Sequence, residues 1–119
     1  MENSEMTYTH ELKDGIALFH LEGSLLAEVD RTSIKNDFTE YLEQDVNKFL
    51  IDLSKLRHIN STGLGIFITL YTKVRGKGGE MVICSPSQNI SNLLAITKLN
   101  SVFNIVDTEL AGLERLQSI

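Results

Sequence analysis

Apolar residues along the chain change period several times, and each change marks a different element. "TYTHELK" and "IALFHLEG" hold apolar positions in short, partly alternating runs separated by Asp14-Gly15. That dipeptide suits a tight hairpin because glycine adopts positive φ without a steric penalty, so two antiparallel strands are predicted. From about Ala27 to Leu42 the residues Val29, Ile34, Phe38, Tyr41 and Leu42 recur at mostly helical spacing with charges between them, which predicts an amphipathic helix. "KFLIDLS" is a continuous apolar run of strand length, as expected for a strand covered on both faces and internal to a sheet.

The next helix is predicted from about Thr62 to Lys77, with Leu64, Phe67, Ile68, Tyr71 and Val74 on one face and Gly76 to Gly79 as the stop. "EMVICS" makes another buried strand. Pro86 marks the turn into "SQNISNLLAITKL", where Ile90, Leu93, Leu94 and Ile96 predict a third helix capped by Ser85 or Ser87. "SVFNIVD" predicts a short strand around Phe103 to Val106, and "TELAGLERLQ" a final helix with Leu110, Leu113 and Leu116 on one stripe. The order is ββαβαβαβα. Because each strand–helix–strand crossover returns the chain parallel, this order predicts an α/β sandwich with a mixed sheet.

A length of 119 residues leaves room for one domain, spanning 1–119 with a core from about 7 to 117. Hydrophobic residues at 42% and charged residues at 23% exclude a disordered or fibrous class. The net charge of −5 argues against nucleic acid as a direct partner, since phosphate binding needs a basic footprint. Lys73, Arg75 and Lys77 form the one local basic cluster, read as a solvated helix end that opposes the helix dipole rather than as an anion site. "MENSEMTYTHELKDG" lacks the basic and apolar segments of a secretory signal, and no apolar run approaches the ~20 residues of a membrane span, so no membrane insertion is expected. Cys84 is the only cysteine and sits in the apolar run "MVIC", which predicts a buried thiol and a reducing, cytoplasmic compartment.

Catalytic chemistry finds little purchase. His10, His20 and His58 lie far apart in sequence, and no HExxH or paired CxxC spacing points to a metal. "NSTGLG" lacks the GxSxG form of a nucleophile elbow, and His58, three residues before Ser61, reads as a strand-end residue facing solvent. "STGLGIF" has G-x-G without a third glycine, and "GKGGE" lacks GK[ST] and leads into a strand, so neither makes a nucleotide loop and no cofactor is expected. What remains is the hydroxyl pair. Asn60, Ser61 or Thr62 is most simply a helix N-cap, worth about 0.5–2 kcal/mol. Gly63 and Gly65 are poor residues for a first helical turn, each costing up to ~1 kcal/mol against alanine. Either the helix start packs closely on a neighbouring strand, or another protein approaches the loop closely; glycine serves both.

"DLSKLRHINSTGLGIF" resembles the signature of STAS domains, in particular the bacterial anti-sigma factor antagonists: a strand ending in D-L, a short linker, then D-S-[ST]-G-L-G opening a helix. The similarity extends to "GGEMVIC" and "LLAITKLNSVFNI", covering most of the chain. It implies a single STAS-like domain that is not an enzyme. It further implies phosphorylation at Ser61, with Thr62 the less expected acceptor, by a partner that is both anti-sigma factor and serine kinase, and removal of the phosphate by a PP2C-type phosphatase. The unmodified form would bind that kinase through Asn60, Ser61, Thr62, Gly63, Leu64 and Gly65 and so release a sigma factor. Two departures stand out: Asn60 replaces the family's usual aspartate, and "GSLLAEVD" puts Leu26 where an acidic residue is common, with Glu28 and Asp30 as nearby carboxylates. The resemblance also admits a role without a phosphate cycle, as a scaffold or accessory subunit in a signalling assembly or lipid-transport complex.

Overall fold

The computed structural model describes residues 6–25 and 29–119. Strands β1 (Thr7–Lys13) and β2 (Ile16–Leu25) pair antiparallel through the turn at Asp14 and Gly15, whose φ values are 53° and 81°. Two consecutive left-handed residues match the twist of the flanking strands, which is why this dipeptide closes the hairpin. Helix α1 (Val29–Glu43) leads to β3 (Lys48–Ile59), α2 (Ser61–Gly76) to β4 (Glu80–Cys84), α3 (Gln88–Ile96) to β5 (Asn104–Val106), and α4 (Glu109–Gln117) ends the order. The five strands lie in the sequence order β1-β2-β3-β4-β5, antiparallel at the first pair and parallel thereafter.

This order sorts the helices between the two faces. Successive parallel strands added in one direction by right-handed crossovers put every crossover helix on the same side. Ile34 and Phe38 of α1, Phe67 and Leu70 of α2 and Ile90 and Leu94 of α3 accordingly share one core with Phe19, Phe49, Ile51 and Ile83 of the sheet. Phe38 and Phe49 stack with ring centroids 4.4 Å apart, and Phe19 lies 4.6 Å from Phe38. Only α4, which follows the last strand, is free to cross to the opposite face. There Leu116 and Leu113 pack on Ile16, Leu18, Leu50, Val82 and Cys84.

Several predicted positions shift when the helices are set down. β3 is longer than its apolar run, because the polar segment after Ser54 stays extended by pairing with the far half of β2, from Lys55 opposite Glu22 to Ile59 opposite Leu25. In α2 the buried residues are Gly63, Leu64, Ile66, Phe67, Leu70 and Val74, so Ile68 turns outward at 41% exposure and Tyr71 is half-buried. Ile96 is 77% exposed at the end of α3, where Ile90 and Leu94 make the contact. Leu110 is 66% exposed, because α4 meets the sheet through Gly112, Leu113 and Leu116; a Cβ on Gly112 would lie 2.5 Å from Leu50 Cδ1. Ser87, not Ser85, caps α3, its Oγ accepting the Ile90 N–H at 3.2 Å. The basic cluster stays at the solvated helix end, where Arg75, 54% exposed, donates to Glu80 Oε1 at 2.6 Å, while Asn104 Nδ2 donates to the other oxygen and Arg115 donates to Asn104 Oδ1 at 3.0 Å.

Cys84 is buried, and its thiol is pushed up to about 12, first by loss of hydration and then by the Asp52 carboxylate beside it. Thiolate is the reactive form. Iodoacetamide at pH 8 should therefore leave the native protein unmodified and alkylate it rapidly in denaturant; equal rates would contradict this burial. Because the folded thiol holds its proton to a higher pH than the unfolded one, its contribution to stability is complete below about pH 9 and is lost as pH rises toward 12.

Candidate functional site

β3 delivers the chain to Asn60, whose extended conformation (φ −120°, ψ −172°) places it outside the helix as the N-cap of α2. Its Oδ1 accepts the Gly63 N–H at 3.0 Å, and its carbonyl accepts the first helical bond from Leu64 N–H at 2.9 Å. The capping role thus falls to Asn60. Ser61 is left as the first helical residue, exposed to solvent, with Thr62 half-buried behind it. The first turn of α2 carries no acidic residue, and Lys73 and Arg75 occupy its last turn. The positive end of the helix dipole is therefore not offset by a carboxylate of that turn, an arrangement that favours an incoming anion.

The two glycines separate. A Cβ on Gly63 would lie 2.4 Å from the Leu25 carbonyl oxygen and 2.6 Å from Ile59 Cγ1, so this residue lets the helix start rest against the end of β2. At Gly65 a Cβ would meet nothing within 4 Å, and the residue is half-buried at the surface. Close intramolecular packing accounts for the first glycine and not for the second. Of the six residues expected from the resemblance to meet a partner, Asn60 and Ser61 are exposed, Thr62 and Gly65 half-exposed, and Gly63 and Leu64 buried. His58 is exposed on the last turn of strand before the site, level with Ser24 of β2. Leu26 and Glu28, and the side chain of Asp30, lie outside the described residues.

A second constellation sits on the sheet face that α4 covers. His20 of β2 stands opposite Asp52 of β3, and Glu109 in the first turn of α4 reaches them. His20 Nε2 is 2.9 Å from Glu109 Oε1 and 3.5 Å from Asp52 Oδ2. His20 and Glu109 are 89 positions apart in the chain, so no local spacing could have announced them.

The fold is thus one five-stranded sheet in the order 1-2-3-4-5, opened by a hairpin, covered by helices on both faces and presenting a serine at the mouth of its second helix. The STAS domain profile matches residues 8–111, and the chain belongs to the STAS domain family. A candidate anti-sigma factor antagonist of Thermotoga neapolitana is 34% identical over 80 residues, 67% of this chain and 71% of that one. Among solved structures, an anti-sigma factor antagonist from Mycobacterium paratuberculosis superposes with a TM-score of 0.83 at 19% identity, covering 98% of this chain and 97% of that one. The anti-sigma factor antagonist SpoIIAA in its unphosphorylated form does so with a TM-score of 0.80 at 16% identity, covering 95% and 98%.

Proposed function

We propose that this chain is an anti-sigma factor antagonist whose unmodified form binds an anti-sigma factor that is also a serine kinase, thereby releasing a sigma factor. Phosphorylation of Ser61 ends that contact and a PP2C-type phosphatase restores it. The observation that carries this reading is the exposure of Ser61 as the first residue of a helix already capped by its neighbour Asn60. A hydroxyl with no capping duty at a solvent-facing helix start can enter a kinase site without unmaking the helix. The name of the Thermotoga relative supports the same partner class.

A phosphoserine adds about −1.5 to −2 charges. At the mouth of α2 the exposed amides and the dipole accommodate that anion, so the fold survives while the surface changes sign. The direct test is incubation with ATP and the cognate kinase, followed by intact-mass measurement. A gain of about 80 Da is expected for the wild type and for Thr62→Ala, and none for Ser61→Ala. A gain that persists in Ser61→Ala would place the acceptor elsewhere.

Asn60 favours a second reading, because it withholds the negative charge that the family usually places beside the acceptor. In that case the helix mouth docks constitutively on an assembly partner as a scaffold. Stable co-purification of a partner with no change of mass on kinase treatment would select it.

A further inference from the structure

The histidine and two carboxylates on the α4 face are assembled from three separate elements, and the family assignment leaves them without a role. We propose that His20, Asp52 and Glu109 bind a divalent transition-metal ion, zinc by preference, with the remaining position open to water. Ligand atoms about 2.1 Å from a zinc ion lie roughly 3.4 Å apart in a tetrahedron and about 3.0 Å apart at right angles. The observed separations from His20 Nε2 are 2.9 Å and 3.5 Å, and one ligand atom from each of the three residues falls within 4.8 Å of the others.

Charge favours an ion here. Both carboxylates are aimed at one ring nitrogen, and a single N–H can serve only one of them well. A dication held between the nitrogen lone pair and both carboxylates satisfies all three groups. The imidazole selects a transition ion such as zinc over magnesium or calcium, which prefer oxygen.

The donors are also held in place. His20 and Asp52 are cross-strand partners in the β2–β3 ladder. Asp52 is fixed by the Ser54 N–H at 3.0 Å and the Ser54 hydroxyl at 3.3 Å, the kind of outer hydrogen bonding that orients metal-binding carboxylates. Glu109 rides on the first turn of α4, which Thr108 caps by accepting the Ala111 N–H at 3.1 Å. Asp52 is only 11% exposed, whereas His20 and Glu109 are 35% and 36% exposed, so the site is closed behind and open in front. A depression of about 180 Å³ bordered by His20, Asp52, Ser54 and Lys55 gives the ion an approach and leaves room for water. An ion there would tie β2, β3 and the start of α4 together.

The test is calorimetric titration of the chelator-stripped full chain with zinc chloride alone, and it is independent of Ser61 and of any kinase. One equivalent should bind and raise the melting temperature, whereas magnesium at the same concentration should do neither. His20→Asn and Glu109→Gln should each weaken zinc binding by about 10- to 100-fold and abolish the thermal shift. His10→Gln, on β1 and outside the cluster, should bind as the wild type does. Circular dichroism of each metal-free variant reports folding; if His20→Asn does not fold, Glu109→Gln on the exposed helix turn carries the comparison. Absence of a zinc isotherm, an equal response to magnesium, or wild-type affinity in Glu109→Gln would overturn the assignment and leave a histidine–carboxylate pin.

Discussion

Replacing Ser61 with aspartate is expected, under the proposed function, to weaken binding of an anti-sigma kinase by about a hundredfold or more, while Ser61→Ala binds as the wild type does. A partner that covers Asn60, Ser61 and Thr62 must strip water from whatever stands there. A hydroxyl is readily desolvated if it finds one hydrogen bond. An unmatched carboxylate or phosphate is not: burying it without a cation costs about 3–5 kcal/mol, which sets the size of the effect. The same charge should do little to the isolated protein, because it sits in the first turn of α2, where the dipole stabilises negative groups by about 0.3–1 kcal/mol. Titration of the kinase with the three proteins, alongside their melting temperatures, checks both halves. Equal affinities would remove the electrostatic switch, and a collapse in the melting temperature of Ser61→Asp would mean that the fold, not the contact, responds to charge.

Alanine at the two glycines of the helix mouth should move stability in opposite directions. Gly63→Ala is expected to destabilise by about 1–3 kcal/mol. The new methyl would lie 2.4 Å from a backbone carbonyl, that of Leu25, and 2.6 Å from Ile59, and a strand carbonyl cannot swing aside as a side chain can. Relief requires α2 to lift from the end of β2, loosening the contacts of Leu64 and Phe67 in the core. Gly65→Ala meets open space, so it should stabilise α2 by up to ~1 kcal/mol through better helix propensity. Urea denaturation of both variants, with slopes compared to confirm the same cooperative transition, measures the difference. If both destabilise alike, the bare backbone at Gly65 has an internal reason that the geometry does not contain. Under the proposed function, Gly65→Ala has a further signature: a more stable protein that binds its partner less tightly, because the methyl occupies surface reserved for close approach.

Much of the architecture was legible from local pattern. The Asp14-Gly15 turn, the continuous apolar runs of β3 and β4 and the helical periods of α1 and α2 each follow from backbone geometry acting over a few residues, which sequence spacing records directly. The proposal of Ser61 as a modification site comes from resemblance, since its own neighbourhood reads most simply as a plain cap. Ile68, Ile96 and Leu110 read as core residues and are not. Periodicity specifies that a helix has an apolar face, but in α2 and α4 the close approach of Gly63 to Leu25 and of Gly112 to Leu50 fixes how the helix is rotated against the sheet, and those contacts join residues distant in the chain.

The chain's own order of residues therefore determined the elements, their succession and the mixed sheet, because hydrophobic period and turn chemistry are local properties of the backbone. Tertiary structure alone decided that Asn60 rather than Ser61 caps α2, that Gly63 serves the interior while Gly65 faces open space, and that His20, Asp52 and Glu109 meet on one face. The reason is that capping geometry, helix rotation and strand register are settled by contacts between segments, and a linear pattern does not encode the distance between residues 89 positions apart.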